Sequence, residues 1–324
     1  MNAHAAILVT GGAGFIGSAL VEALLERGDR VTVLDNFSTG KRENLIPFLK
    51  NPDFTLIEGD IRDLETCRKA AAGQDYVLHE AALGSVPRSV KDPLTSLAVN
   101  ISGFANMMIA ARDAGVKRFV YASSSSVYGS DNSPVKQEER TGIPLSPYAI
   151  TKHTDELIAL NFASLYGLET IGLRYFNVFG RRQDPNGAYA AVIPKFTLSL
   201  MRHESPVING DGSFSRDFTY VDNVVSANLL ALNAAGEAVN RCYNVACGAR
   251  TTLNELFTLL REFLAESDPQ IAGIEVVHGP PRIGDIPHSL ADISLASKYL
   301  GYRPRWQIRE GLREAVRWYC RNLK

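Results

Sequence analysis

A short apolar run, Ala5-Ala6-Ile7-Leu8-Val9-Thr10, empties into Gly11-Gly12-Ala13-Gly14-Phe15-Ile16-Gly17 and then into an amphipathic stretch. A strand that passes through glycines at 11, 14 and 17 straight into a helix leaves few folds open. The first glycine permits a tight turn, the second lets a pyrophosphate approach the backbone, and the third lets helix pack closely on strand. The N–H groups that open the helix, at the positive end of its dipole, then face the phosphates. The next β-rich run, 30–35, ends on Asp35, eighteen residues after Gly17. Two readings of Asp35 stand: a carboxylate that accepts from the adenosine ribose hydroxyls and repels a 2′-phosphate, selecting NAD over NADP, or a turn cap. Asn36 belongs with it. Asp60 and Ile61, at the end of the third run, either flank the adenine or turn the chain into the helix that begins at Asp63.

Candidate strands at 5–10, 30–35, 54–58, 75–79, 117–123 and 169–175 alternate with helical patterns near 15–27, 63–72, 94–114 and 146–166. That alternation predicts an α/β fold with a Rossmann-like, doubly wound parallel sheet. Gly28, Gly115 and Gly167 each stand where a helix would end. After about residue 177 the rhythm changes. Loops rich in Gly, Pro, Asp and Arg (180–188, 209–217, 279–289) separate helical patterns near 190–203, 222–234, 251–265 and 307–322. The expected division is an NAD-binding domain over 1–176, returning to the sheet near 218–245, interleaved with a smaller α/β substrate-binding lobe over 177–324.

The 324 residues carry a formal charge of −1 and no basic block, which argues against nucleic acid or an anionic membrane as a partner. No apolar stretch reads as the ~18 residues a transmembrane helix needs. The first strand begins so early that no room is left for a signal peptide. Cys67, Cys242, Cys247 and Cys320 lack metal spacing and read as reduced thiols, and the six histidines form no cluster. The expectation is a cytoplasmic enzyme without a metal.

Ser146-Pro147-Tyr148-Ala149-Ile150-Thr151-Lys152 opens the helix near 146–166, with Ser146 as N-cap and Pro147 as first helical residue. Positions four apart share a helix face, so the Tyr148 phenol and the Lys152 ammonium point into one space. An ammonium beside a phenol favours the phenolate, the form that acts as a base. The alternative is an ordinary surface pair.

In order, the glycine loop, Ser123-Ser124-Ser125-Ser126-Val127-Tyr128-Gly129 and Tyr148-x-x-x-Lys152 resemble the extended short-chain dehydrogenases/reductases over essentially the whole chain. More narrowly, the segments 81–89 (Ala81-Ala82-Leu83-Gly84-Ser85-Val86-Pro87-Arg88-Ser89), 173–190, 215–218 and 282–285 are similar to the UDP-hexose 4-epimerases, above all those acting on UDP-N-acetylglucosamine and UDP-N-acetylgalactosamine. The resemblance implies NAD as cofactor and a UDP-sugar as substrate, with Ser124, Tyr148 and Lys152 as the catalytic group. It implies cofactor contacts from Gly11, Gly14, Phe15, Ile16, Gly17, Asp35, Asn36, Asp60, Ile61, Ala81, Ala82, Asn100, Ser123, Tyr148, Lys152 and Tyr175. For the substrate it implies Ser85, Ser124, Ser125, Ser126, Asn177, the backbone of Ala191 and Val192, Arg216, Arg282, Asp285 and Ser289. Arg216 and Arg282 would bind phosphates, a task suited to the guanidinium fork; either alone reads first as a solvated surface charge. Ser289 falls where relatives restricted to plain hexoses carry a bulky tyrosine, and Ser125 or Ser126 would reach the acetamido amide. Ser125 and Ser126 also stand where the family's dehydratases carry an Asp-Glu pair, which argues against dehydration.

The family also pairs the helices near 94–114 and 146–166 into a homodimer. Apolar faces (Leu97, Ile101, Phe104, Met108; Leu157, Leu160, Phe162) suit that pairing, or a packing of each helix on its own sheet. A UDP-glucuronate 4-epimerase or another extended-family UDP-sugar enzyme is the nearest alternative, since Arg88, Arg181 and Arg182 could serve a carboxylate. A non-catalytic NAD-binding protein is the alternative of another class.

Overall fold

The computed structural model describes residues 4–186, 191–281 and 288–323. Seven strands form one parallel sheet: β1 (Ala6–Thr10), β2 (Arg30–Asp35), β3 (Phe54–Glu58), β4 (Tyr76–His79), β5 (Arg118–Ser124), β6 (Glu169–Tyr175) and β7 (Arg241–Val245). Their order across the sheet is β7-β6-β5-β4-β1-β2-β3, so the strand order reverses between β1 and β4. Ligands bind at such a reversal, beyond the carboxyl ends of the strands. The Rossmann-like parallel sheet expected from the alternating pattern is present. The strands are almost unbroken apolar runs because both faces are covered.

Helix α1 (Phe15–Glu26) and the later helix Val221–Leu232 cover one face of the sheet. Leu64–Ala71, Gly103–Asp113 and α2 (Pro147–Tyr166) cover the other. The stretch read as one helix near 94–114 is composite. Pro93–Leu97 runs through a π turn, Ala98–Ser102, into Gly103–Asp113. The wider turn coincides with Asn100, whose buried side chain reaches off the helix to the Leu83 backbone. By length and composition Pro93–Asp113, at 21 residues, could cross a bilayer, which the sequence reading did not register. Its Phe104, Met107 and Met108 are buried against Phe119 and Tyr121, the behaviour of a core helix. Phe104 and Met108 therefore leave the apolar face proposed for dimer pairing. Leu157 and Leu160 remain exposed.

Helix α2 is set by its ends. The Ser146 hydroxyl accepts from the Ala149 N–H (3.1 Å), Pro147 occupies the first turn, and Gly167 closes the helix at φ 70°. In the second half, Val192–Met201, Leu253–Ala265 and Ile308–Asn322 occur near their expected positions, and Ser294–Leu300 is an additional helix. Among the described residues no group of three or more His, Cys, Asp or Glu stands together as a metal site.

Candidate active site

Two adjoining cavities open at the carboxyl end of the sheet. The first is walled by the glycine loop, the end of β2 and the segment after β4: Gly11, Gly14, Phe15, Ile16, Gly17, Asp35, Asn36, Asp60, Ile61, Ala81 and Ala82 all line it. Gly11 has φ 70°, and a Cβ added at Gly17 would stand 2.1 Å from the Gly11 carbonyl oxygen, so a larger residue there would break the turn. Helix α1 opens at Gly14 with no side-chain cap and no acidic residue in its first turn. Its orphan N–H groups are thus left for an anionic ligand. A dinucleotide fits this wall.

Asp35 lines the first cavity and caps the turn. One carboxylate oxygen accepts from the Ala13 N–H (2.9 Å) and holds the glycine loop; the other accepts from the Phe37 N–H (2.8 Å) and caps the turn. Burial lifts its pKa, and the two N–H donors oppose that. Asp60 is engaged by Arg62 and by the Asn36 amide (2.9 Å), chiefly the arginine holding it down at about 2. Ile61 packs against Gly103.

The second cavity is walled by Ser124, Ser125, Ser126, Tyr148, Tyr175, Asn177, Arg216 and Ser289, with Val86, Tyr128, Lys136 and Leu145 among its other walls. Ser124 caps the short turn Ser125–Tyr128 by accepting from the Ser126 N–H (3.1 Å). The Ser126 hydroxyl is buried with no hydrogen-bond partner. Tyr148 is half-buried, its N–H donating to the Ser89 hydroxyl (3.0 Å). One turn on, Lys152 is buried, and its Nζ donates to the Ala122 carbonyl (2.8 Å) and lies 3.4 Å from the Asp155 carboxylate. Burial raises Asp155 to about 7 against the pull of that ammonium, and burial with the same charge drives His79 down to about 3. Lys152 is thus pinned from the strand side and the helix side.

Several expected residues stand elsewhere. The Asn100 amide accepts from the Leu83 N–H (2.8 Å) and donates to Leu83 and Thr151, bracing the strand-end loop behind the cavities. Ser123 donates to Glu156 (2.6 Å) instead of lining a cavity. Ser85 sits at φ 129° between Gly84 on the first cavity and Val86 on the second, its hydroxyl accepting from the Arg88 N–H (3.3 Å). Ala191 and Val192 open the helix Val192–Met201 without a side-chain cap but line neither cavity. Arg282 and Asp285 lie outside the described residues.

The sequence reading missed Asp217, although it follows Arg216 directly. Its buried carboxylate accepts from the N–H groups of Cys247 (2.9 Å), Gly248 (3.0 Å) and Ala291 (3.3 Å), and burial raises it to about 6. With the Ser289 N–H donating to the Ser215 carbonyl (3.1 Å), this ties Arg216 and Ser289 to one wall. Glu80 and Lys136 were also missed. Glu80 had a visible address, directly before Ala81; nothing marked Lys136.

A parallel Rossmann sheet with a glycine loop at one cavity and, at the next, a tyrosine followed one helical turn on by a buried lysine is the arrangement of a nucleotide-dependent enzyme of the short-chain dehydrogenase/reductase class. More particularly, the chain belongs to the NAD dependent epimerase/dehydratase family, whose model matches residues 7–246, and its cofactor is NAD. It is 42% identical to a UDP-N-acetylglucosamine 4-epimerase from Methanobrevibacter ruminantium M1, solved in complex with UDP-N-acetylmuramic acid (TM-score 0.91, covering 99% of each chain). It is 37% identical to a putative UDP-glucose 4-epimerase of Methanocaldococcus jannaschii over 98% of this chain and 99% of the relative. It is 34% identical to UDP-glucuronate 4-epimerase 4 of Arabidopsis thaliana over 97% of this chain and 75% of the relative.

Proposed function

We propose that this NAD-dependent UDP-sugar 4-epimerase interconverts UDP-N-acetylglucosamine and UDP-N-acetylgalactosamine, accepting the plain hexoses as well. The observation that carries the acetylated substrate is the make-up of the second cavity. Ser289, a small residue, shares its wall with Tyr148 and with the unpartnered, buried hydroxyl of Ser126. A buried hydroxyl without a partner is costly unless a polar ligand group completes it. The acetamido group is such a partner, and Ser289 leaves room for it.

When bound, NAD supplies hydride chemistry, accepting hydride from C4 of the sugar and returning it to the opposite face. The side chains do the rest. Tyr148 takes the O4 proton and gives it back, and Ser124 bridges O4 to the phenol. Lys152, fixed by Ala122 and Asp155, places its positive charge one helical turn from Tyr148. Arg216 anchors the diphosphate, with Arg282 and Asp285 assigned to the same end, so that the 4-keto sugar turns without leaving. Asn177 braces that wall, donating to the Asp217 carbonyl (3.0 Å).

The UDP-glucuronate reading has less support. Arg181 and Arg182 both pair with Glu22 on α1 (3.0 Å each), and Arg181 also binds Asp222; neither lines the second cavity. Ser289→Tyr tests the acetylated substrate. Turnover of UDP-N-acetylglucosamine should fall at least about tenfold more than that of UDP-glucose, the scale on which a filled pocket discriminates. Equal losses on both would remove Ser289 from the selection, and a wild-type enzyme inactive on every acetylated sugar would overturn the assignment.

The four cysteines are all unpaired, which suits the reducing cytoplasm we assign to the enzyme. We also propose a homodimer through α2 and the helix before Gly103. Leu94 (78% exposed) on Pro93–Leu97, and Leu157, Leu160 and Leu165 on α2, are exposed apolar residues that a partner would cover. Sedimentation at micromolar concentration should show a dimer, and Leu157→Glu with Leu160→Glu should shift it to monomer. A wild-type monomer under those conditions rules the pairing out.

A further inference from the structure

One carboxylate at the site has no part in the proton transfer described above. Glu80 follows β4 directly and lines the first cavity beside Ala81 and Ala82. Its Oε1 accepts from the Tyr175 hydroxyl (2.7 Å), and that hydroxyl accepts from the Asn228 amide (2.8 Å). Tyr175 lines the second cavity with Tyr148. The Glu80–Tyr175 bond therefore spans the place where the two cavities meet. With adenosine assigned to Asp35 and Asn36, the nicotinamide is assigned to the Glu80 side of the first cavity, where Tyr175 leads into the second cavity and Tyr148.

We propose that Glu80 tunes the cofactor: its carboxylate, fixed by Tyr175 at the nicotinamide end, favours the positively charged oxidised ring over the neutral reduced one. The nearby charges fit that role. Lys152 and Asp155 come from α2 and pair with each other at 3.4 Å. His79, the last residue of β4, is neutral near physiological pH, burial and Lys152 driving it down to about 3. Tyr175 from β6 and Asn228 from the helix Val221–Leu232 are uncharged donors. At pH 8.5, above the value of about 7 for either carboxyl, Asp155 offsets the lysine and Glu80 is the net negative charge among these groups. Opposite charges a few ångströms apart in a partly desolvated site interact strongly. Burial raises Glu80 to about 7, with the Tyr175 hydrogen bond and Lys152 opposing. A cationic ring beside it favours the ionised carboxylate, and loss of that charge on reduction favours uptake of part of a proton from solvent.

An enzyme that must return every hydride to its own substrate benefits from such a bias, because it keeps the resting cofactor oxidised. The inference rests on NAD as cofactor and not on which sugar is turned over. The test is a potentiometric titration of the holoenzyme without substrate, following the reduced-nicotinamide absorbance. Glu80→Gln keeps an acceptor for Tyr175 and removes the charge. At pH 8.5 it should shift the ratio of reduced to oxidised cofactor affinity at least about tenfold towards the reduced form, a rise of ~30 mV for a two-electron couple. An unchanged midpoint with epimerisation intact would overturn the role of Glu80 and leave the epimerase reading standing.

The wild-type protein gives a second measurement should the variant not fold. Between about pH 6.5 and 8.5 its midpoint should fall more steeply with pH than that of free NAD, because of the extra proton. A wild-type slope equal to that of free NAD overturns the proposal. So does an excess slope that persists in Glu80→Gln, which would belong to Asp155.

Discussion

Tyr148→Phe should lower epimerisation by roughly 10²–10⁴-fold, the usual contribution of a positioned general base, while the protein stays folded and retains NAD. The variant removes one oxygen and little else. The Tyr148 N–H is bonded to Ser89, and the helix start is held by the Ser146 cap and by Pro147, none of which involves the phenol. Lys152 keeps its own bonds to Ala122 and Asp155, so the ammonium stays where it is. What is lost is the group that exchanges a proton with O4; the other tyrosines of the second cavity, Tyr128 and Tyr175, have their hydroxyls committed to Asn244 and Glu80. The hydroxyls of Ser124, Ser125 and Ser126 are far weaker bases near neutral pH. Product analysis by NMR with UDP-N-acetylglucosamine, beside cofactor absorbance of the purified variant, measures both halves of the expectation. A variant retaining more than about a tenth of the wild-type turnover would show that another group takes the proton.

The fold was legible because its signals are short-ranged. A strand, three glycines and a helix within about twenty residues state the first βαβ unit, and Tyr148 and Lys152 lie one turn apart on a helix whose caps can be read directly. Contacts between distant residues were not legible. Arg216 and Ser289 share a wall because Ser215 pairs with His288 and because Asp217 gathers three N–H groups from two other segments. No local pattern announces such a junction. Asn100 and Ser123 show what the resemblance left unsaid: it assigns them to the cofactor, and the structure adds bonds from their polar groups to Leu83, Thr151 and Glu156. Glu156 and Arg174 were passed over because charged residues are so seldom buried that each reads as surface. Yet Glu156 follows Tyr148 and Lys152 at the same spacing of four, and the stripe that carries the chemistry must continue into the protein.

That continuation gives the largest expected stability effect. Arg174 on β6 donates through Nε and Nη2 to the two oxygens of Glu156 (2.8 Å each), and Ser123 adds a third bond to the same carboxylate. Arg174 further donates to the Tyr128 hydroxyl (3.1 Å) and the Glu138 carbonyl (3.0 Å), and both members of the pair are buried. The pair joins the tyrosine helix to the sheet and to the turn that carries Ser124. Glu156→Ala leaves a buried guanidinium without its counterion, a loss of about 3–5 kcal/mol. The urea midpoint should fall accordingly. Activity at temperatures where the variant is still folded should fall as well, because Lys152 sits one turn away. Replacing both partners by apolar residues of similar size, Glu156→Leu with Arg174→Met, should recover most of the stability, since a buried pair is worth little net of its desolvation. It should not recover the activity, because the bonds to Ser123 and Tyr128 that orient the serine turn would still be missing. A single variant that loses less than about 1 kcal/mol, below the usual cost of an uncompensated buried charge, would mean that water or a rotated Arg174 satisfies the site. Recovery of activity together with stability in the double variant would reduce the pair to packing alone.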